Sequence, residues 1–507
     1  MTFLFIQFLP TGSREEPKMW YNKCKEKSGK AAKSLHLEMS GMYKFDNGQI
    51  SLEDFGQPVG MNLKNSNRWV KRAQTIPWIE IEKKYAKLFS NKKGNVAKSL
   101  RLGLGARIIQ AEYGYSDAEI PLQIQENPYL QYFCGYKAFD DSKPPFDPSM
   151  MVYFRKRLTP EIIGEINEMI IAAEQAKAEK AEKEADDSDD DDKNSGTMIV
   201  DATCAPSQIS YPQDVSLLNK ARECSEKIID ELHVKGEEKP RTYRKKAHKD
   251  YTSYSRSRKP KAKQTRKAIG KQLGYLKRNI GSIEKMISMG KEIPIKFKEK
   301  FSTIQIIYTQ QKEMYDNRTH SVKDRIVSLS QPWVRPIVRG KAKAKVEFGI
   351  KLDISVCDGW TRLERHSFDA YNESTGLQDM IERFKERTGH YPERVLADKI
   401  YRNRDNLNFC KQHNIRLSGP ALGRPKKDAE IDKKQNYIDE CERIEVERKF
   451  SLAKRKCGMG MIVTRLKETT CHSIAMSVLL LNLRKIEKLK AELLLLFMSK
   501  NILAFVQ

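Results

Sequence analysis

The chain lacks the paired cysteines of a zinc site. Its nine cysteines are scattered over 507 residues, and no two of them form a C-x-x-C pair. A structural zinc site is therefore not expected. Unpaired, dispersed cysteines suit a reducing compartment, where they act as small core residues, so we expect a cytoplasmic protein.

The chain also lacks an apolar run long enough to cross a bilayer. Residues 1–10 are apolar, but they are too short to span and have no basic segment before them. The apolar stretches 474–483 and 493–498 are also short and are separated by a charged stretch. We expect buried helices there and no membrane partner.

Acidic residues are few relative to basic ones. The chain has 67 Asp and Glu against 93 Lys and Arg, a formal net charge of +26. Between positions 239 and 278 there are 16 Lys and Arg against a single acid, Asp250, a net charge of +15. Such a concentration is typical of nucleic-acid binding, although a merely solvated basic surface remains an alternative. The candidate DNA contacts in this segment are Arg244, Lys245, Lys246, Arg256, Arg258 and Lys259.

The first half of the chain divides by composition. Residues 1–41 have no clear period and are predicted to be an N-terminal extension that does not conform to the rest. Residues 42–172 carry apolar residues at helical spacing and predict an all-α domain. Its basic edge, Arg155, Lys156 and Arg157, fits a DNA-binding helical domain, and a plain helical packing domain fits the pattern equally well. The acid-rich stretch 173–196 predicts a flexible linker.

Residues 197–483 predict an α/β domain. Short β-type runs at 197–203, 345–350, 352–357, 394–397 and 415–417 are separated by helical stretches, including 376–387 and 404–413. A helical insertion at about 212–335 follows the first strand, and residues 484–507 are predicted to form a C-terminal helical tail. The order of elements is that of an α/β domain with an insertion after its first strand.

Three acids in this domain are candidates for phosphodiester chemistry. Asp201 and Asp398 each follow an apolar strand-type run. Arg443, Glu447 and Lys454 lie at i, i+4 and i+11, which places them within roughly 40° of one another on a helix. Phosphoryl transfer with hard divalent ions needs several carboxylates at one point, and Arg and Lys hold phosphate oxygens. The spacing alone leaves other acids open: Glu442, Glu445, Asp353, Asp358 and Asp369.

The chain resembles the bacterial insertion-sequence DDE transposases of the insertion-sequence-five-like group, which have an InsH-like N-terminal domain. The resemblance covers about 42–483 and rests on the following motifs: NPYLQYF at 127–133, PPFDPS at 144–149, FRKRL at 154–158, VDATCAP at 200–206, ADKIYRNR at 397–404, LSGP at 417–420 and GRP at 423–425. The family signature, Tyr, two residues, Arg, three residues, Glu, six residues, Lys, is matched by Arg443, Glu447 and Lys454. This chain has Glu440 where the signature has Tyr.

The resemblance implies a ribonuclease-H-like catalytic core behind an all-α N-terminal domain. It implies Asp201, Asp398 and Glu447 as catalytic residues and ligands of two Mg²⁺ ions, with Mn²⁺ as a substitute, and Arg443 and Lys454 as phosphate-positioning residues. The expected activity is cleavage at the terminal inverted repeats of an insertion sequence and transfer of the freed strand to target DNA. The implied partners are double-stranded DNA, both element ends and target, and further copies of the chain in a dimer or larger complex at the bacterial nucleoid. A metal-dependent nuclease without strand transfer and a catalytically inactive DNA-binding regulator remain alternatives.

Overall fold

The computed structural model describes Tyr43 and residues 49–89, 96–182, 194–338, 346–419 and 433–506. Residues 1–41, predicted to be an N-terminal extension, lie outside this described part. Within it the chain is a mixed α/β protein: a helical N-terminal region, one mixed sheet with a helical insertion, and a long C-terminal helix. No helix in the described ranges is long and apolar enough to cross a membrane.

The N-terminal region is built from seven successive helices whose apolar sides meet in one core. These helices are α1 Arg68–Thr75, α2 Trp78–Tyr85, α3 Leu100–Tyr113, α4 Glu119–Glu126, α5 Pro128–Phe133, α6 Met150–Arg157 and α7 Pro160–Glu182. Side-chain caps fix where some of them begin: Ser99 accepts a hydrogen bond from the Leu102 amide at 3.2 Å, and Asn127 accepts one from the Tyr129 amide at 3.0 Å. The NPYLQYF motif is therefore a capped helix with proline at its first position.

The central sheet combines an antiparallel and a parallel half. Its strands are β1 Thr197–Pro206, β2 Arg335–Val338, β3 Val346–Cys357, β4 Trp360–Ser367, β5 Arg394–Leu396 and β6 Arg416–Leu417. On one side of β1 lies antiparallel β3, which pairs at its other edge with β2 near its start and with β4 near its end. On the other side lie β5 and then β6, both parallel to β1.

The strand predictions were right in part. Two runs predicted at 345–350 and 352–357 form one strand, β3, over the described residues. β4 was not predicted, because WTRLERHS has no clear apolar alternation. Its polar residues are accommodated by tertiary partners instead: the buried Glu364 carboxylate lies 2.8 Å from Arg383 Nε and 2.9 Å from Arg387 Nη2.

Helices cover both faces of the sheet. They are α12 Leu377–Thr388, α13 Arg404–Gln412 and α14 Lys433–Lys456. One face of β1, with Met198 and Val200, packs against α12. The opposite face, with Ile199, packs against Val446 and Phe450 of α14. Alternation along the strand therefore decides which helix each β1 side chain meets.

The insertion forms a helical unit with its own apolar core. It consists of α8 Asp214–Leu232, α9 Arg244–Ser255, α10 Ala262–Ser288 and α11 Ile295–Asn317, which follow β1 within the range 212–335; β2, which comes after them, was not predicted. Leu218, Leu276 and Ile304, from three of these helices, are fully buried together. The core leaves the basic residues of the 239–278 segment on the outside of this unit.

The last helix, α15 Lys467–Val506, joins the N-terminal region to the sheet domain. Met476 and Leu483 are buried in the same core as the N-terminal helices, and Arg107 Nε donates to His472 Nε2 at 2.9 Å. Helix α15 continues without a break through residue 484, so the tail predicted at 484–507 is not a separate element. The predicted linker at 173–196 also needs correction, since α7 extends to Glu182 and residues 183–193 lie outside the described part.

Candidate active site

Asp201 lies on β1, and Asp398 follows the end of the neighbouring parallel strand β5. Ile199 of β1 is paired with Leu396 of β5, and each aspartate lies two residues beyond its member of that pair. With a period of two, both side chains belong to the sheet face that carries Ile199 and Leu396, the face covered by α14. The strand register thus brings the two predicted acids to the same place.

The two carboxylates differ in their environment. Asp201 is half-buried, and this burial raises the pKa of its carboxyl to about 6. The Ala202 amide, which donates to Asp201 Oδ1 at 2.8 Å, and the Arg443 guanidinium act in the opposite direction on that pKa, while Glu373 and Asp398 add to the rise. Asp398 is exposed and caps the turn Lys399–Tyr401 by accepting from the Lys399 amide at 2.7 Å.

Helix α14 supplies the charged stripe predicted from the spacing. Val446, Phe450 and Ala453 are buried against the sheet, which anchors the helix across β1 and β5. Arg443 lies one turn before Val446 and is the cation that acts most on Asp201. The Glu447 side chain is 59% exposed and lies 3.9 Å from Arg443 Nη1.

The other acids on this helix have partners of their own. Glu442 lies 2.7 Å from Arg394 Nη2 of β5, and Glu445 lies 3.3 Å from Lys449 Nζ. Lys454, half-buried near the end of α14, is not among the charges that act most on Asp201. Glu442 and Glu445 are thus paired with cations other than Arg443, whereas Glu447 is paired with Arg443 itself.

The donor set suits a hard divalent cation, although three acids do not converge. Asp201 and Asp398 each use Oδ1 for a backbone amide, and neither Oδ2 has a hydrogen bond within the described part. Mg²⁺ is commonly held by one or two carboxylates together with waters and substrate phosphate oxygens. Among the residues that the structure describes, no group of three His, Cys, Asp or Glu lies close enough to hold one ion.

A second acidic cluster adjoins the first and was largely missed from the sequence. Asp353 of β3 accepts a hydrogen bond from Tyr371 Oη at 2.8 Å, and Glu373 lies 2.8 Å from Lys351 Nζ. Burial raises the pKa of Asp353 to about 6, and Asp353 Oδ2 has no hydrogen-bond partner. The buried Tyr401 hydroxyl likewise has none.

Glu373 is the link between the two groups of acids. Its charge contributes to the raised pKa values of both Asp201 and Asp353. Asp353 was one of the acids left open by the sequence, whereas Glu373 gave no signal, because it lies in a short turn capped by Asn372 and not in a strand or long helix.

The predicted DNA contacts fall into two groups. Arg155 is buried, and its Nη1 donates to Asp117 Oδ1 at 2.8 Å, so the prediction that it binds DNA was wrong. The neighbouring Lys156 is exposed, and the Arg157 guanidinium lies 5.6 Å from the Phe89 ring centroid.

Arg244 is exposed but forms two hydrogen bonds with Asp230. The remaining candidates are exposed and make no ion pair within the described ranges: Lys245, Lys246, Arg256, Arg258 and Lys259.

Two segments of the chain match known protein families. Residues 395–484 match the family described as Transposase DDE domain, and residues 59–157 match the family described as Transposase domain (DUF772). Together the two matches support an insertion-sequence DDE transposase. The first match contains Asp398, Arg443, Glu447 and Lys454, whereas Asp201 lies outside both matches.

One relative shares part of this transposase. Over 152 residues the chain is 29% identical to the uncharacterized protein ORF8 in the nfe locus of Rhizobium meliloti, a match that covers 30% of this chain and 68% of that protein. No solved structure matches the transposase significantly.

Proposed function

We propose that this transposase binds the terminal inverted repeats of its insertion sequence and catalyses metal-dependent strand cleavage and strand transfer. The observation that supports the proposal most is that Asp201 and Asp398 each lie two residues beyond the Ile199–Leu396 pair of adjacent parallel strands, with Arg443 of α14 acting on Asp201. The mixed sheet and its covering helices are compatible with the ribonuclease-H-like core that a DDE domain implies.

The proposed reaction consists of two displacements at phosphorus. In the first, water attacks a phosphodiester at the element end, the bond from phosphorus to the 3′ oxygen breaks, and a 3′-hydroxyl is released. In the second, that hydroxyl attacks a phosphodiester of the target DNA, the new phosphodiester joins the strands, and a target 3′-hydroxyl leaves. No external oxidant, reductant or nucleotide is consumed in either step.

Each named residue has one role in this scheme. Asp201 and Asp398 would hold divalent cations, Mg²⁺ or its substitute Mn²⁺, and Glu447 of α14 would be the third carboxylate ligand. Bound there, such cations activate the attacking oxygen and stabilise the leaving oxygen. Arg443, and Lys454 less directly, position non-bridging phosphate oxygens.

DNA contacts outside the chemistry are assigned to two surfaces. The exposed cations of the insertion, Lys245, Lys246, Arg256, Arg258 and Lys259, track the phosphate backbone. The N-terminal helices, with Lys156 and Arg157 at their edge, contribute to recognition of the element ends. Pairing two ends for transfer needs at least two copies of the chain, so the working form is a dimer or larger.

A strand-transfer assay tests the proposal. Purified transposase, duplexes that end in the element repeats, target plasmid and Mg²⁺ should yield joined product. Cleaved ends without joining would indicate the nuclease alternative, and DNA binding without either would indicate the inactive regulator. Asp398→Asn should abolish cleavage and joining while leaving duplex binding within about twofold.

Matched control variants distinguish loss of a site residue from a general effect of removing a negative charge. Asp358→Asn is the control for Asp398→Asn, because Asp358 is exposed in the β3–β4 turn at φ +50°, which asparagine tolerates. Glu442→Gln is the control for Glu447→Gln, since both acids lie on α14 and only Glu442 is paired with Arg394. Retained cleavage by Asp398→Asn would remove the assignment of this site.

A further inference from the structure

A cleft separates the sheet domain from the helical insertion. We call it the insertion cleft; it is lined by segments 208–213 and 327–331, by residues of α8, α9 and α11, and by Arg465, and has a volume of about 820 Å³. Its floor is fixed to the sheet, because the Gln208 amide donates to the Ile462 carbonyl oxygen at 2.9 Å and the Ser207 amide to that of Phe348 at the same distance. The segment that forms the floor of the cleft therefore follows directly after β1, the strand that carries Asp201.

The charge of the insertion cleft has one sign. Lys220, Lys300 and Arg465 are exposed and line it, and no aspartate or glutamate does. Within the described part of the chain none of these three cations is in an ion pair, whereas Lys239, Arg244 and Lys296 of the insertion each pair with an acid. A pocket with several uncompensated cations and no acid favours an anionic ligand, and phosphate groups are the anions that Lys and Arg bind most readily in a DNA-acting protein.

An aromatic side chain is presented beside these cations. The Tyr211 side chain is 78% exposed, and its ring is held edge-on against Phe348, with centroids 5.9 Å apart and planes at 87°. Because most of Tyr211 is exposed, its ring is accessible to another planar group. The buried Gln331 Oε1 has no hydrogen-bond partner, while its Nε2 donates to the Gln208 carbonyl oxygen at 3.2 Å. An exposed ring, an unpaired amide oxygen and three cations are the groups that hold an unpaired nucleotide.

The size of the cleft decides between single and double strands. Its volume lies in the range of small-molecule pockets, roughly 300–1,000 Å³. A duplex keeps its bases stacked inside and cannot present one to a pocket of this size, whereas a single strand can. The ligand is therefore a short single-stranded segment of DNA.

The position of the cleft gives its distance from the chemistry. Gln208 lies seven residues after Asp201, which corresponds to about 23 Å along an extended strand. At 3.4 Å per base pair this is about seven base pairs of duplex. The cleft is far enough from Asp201 and Asp398 to be a separate site, and near enough to hold DNA that leaves them.

From these observations we infer that the insertion cleft binds a short unpaired DNA segment, with a base stacked on Tyr211 and its phosphates on Lys220, Lys300 and Arg465. The inference rests on the proposed function only in taking DNA as the ligand. It assigns the insertion a second task beside its contacts with duplex backbone: capture of the strand that separates when the element end is opened.

The test is binding of a fluorescein-labelled octathymidylate to the full-length protein, followed by anisotropy in EDTA so that no cleavage occurs. Tyr211→Leu should weaken binding about tenfold, because stacking on one aromatic ring contributes about 1–3 kcal/mol. The double variant Lys220→Gln/Lys300→Gln should weaken it and reduce the slope of log affinity against log salt by about 1.4. Affinity for a blunt 20-base-pair duplex should change less than twofold in both.

Two controls match these variants. Tyr437→Leu removes another exposed tyrosine, on α14, and Lys312→Gln removes another α11 cation, one that is paired with Asp316; both should leave octathymidylate binding unchanged. Unchanged binding by Tyr211→Leu, or an equal loss on the duplex, would overturn the inference, as would equal binding of free thymidine monophosphate and the octamer. Because no metal or cleavage is involved, failure of the strand-transfer assay and failure of this one are distinguishable.

Discussion

Two buried acids on neighbouring strands should respond in opposite ways to loss of their charge. Asp353 of β3 is fully buried, and burial raises the pKa of its carboxyl from 3.8 to about 6, despite a hydrogen bond from Tyr371 and nearby Lys351. Glu364 of β4 is equally buried, but two arginines and Ser355 lower the pKa of its carboxyl. The ionised form is therefore unfavourable at Asp353 and favourable at Glu364.

The magnitude follows from the pKa of Asp353. At about 1.4 kcal/mol per pKa unit, a rise from 3.8 to about 6 corresponds to about 3 kcal/mol of lost stability when the group is ionised. Between these two pKa values the Asp353 carboxyl is ionised in the unfolded chain and protonated in the folded one. The loss of stability therefore grows from about pH 4 to about pH 6 and is constant above. Asp353→Asn should thus raise the free energy of unfolding at pH 8 by up to about 3 kcal/mol and less at pH 4.5.

Urea unfolding followed by circular dichroism at pH 4.5 and pH 8 measures this difference. Glu364→Gln is the matched control, and it should lower stability by about 1–3 kcal/mol at pH 8, because it weakens the hydrogen bonds that two partly exposed guanidinium groups donate to the buried carboxylate. That loss should become smaller as pH falls through the lowered pKa of Glu364. If Asp353→Asn destabilises as strongly as Glu364→Gln at pH 8, Lys351 and its neighbours compensate the Asp353 charge and the reasoning is wrong.

Three further predictions concern stability and DNA binding. Arg72→Met should destabilise the protein by about 1–3 kcal/mol in urea unfolding, because Glu487 loses its hydrogen bond from Arg72 while Glu112 keeps Arg68 and Arg484; an unchanged stability would contradict this. Lys245→Gln/Lys246→Gln should reduce the salt slope of duplex binding by about two, and an unchanged slope would remove these residues from the backbone contacts. Arg155→Gln should lower the unfolding midpoint without changing that slope, since Arg155 is buried and paired; a lower slope would restore it as a DNA contact.

The candidate acids could be proposed from the sequence because their positions follow from local rules. Asp201 and Asp398 each follow an apolar run in the sequence. In a strand, side chains alternate between the two faces of the sheet, so the position of a residue along the strand predicts its face. The Arg443, Glu447 and Lys454 spacing places its members on one stripe of any helix. The concentration of basic residues in the sequence likewise predicted the basic surface of the insertion.

Other features could not be predicted, because they depend on residues distant in the chain. Asp117 lies 38 positions before Arg155 and turns a predicted DNA contact into a buried ion pair. Trp360 of β4 lies in the same core as the N-terminal helices and Leu483 of α15, which removes the expected boundary before residue 484. No local pattern reports such pairings.

The sequence by itself determined many of the helices, the place of the insertion after the first strand, and which residues are candidates for the chemistry. It did so because helix and strand periods, caps and charge density act over a few residues. The tertiary structure alone decided that Glu373 is near Asp201, that Arg155 is buried, and that an acid-free cleft with Tyr211 lies between sheet and insertion. Burial and the electrostatic environment of a side chain depend on which distant segments pack around it, and only the folded chain determines that.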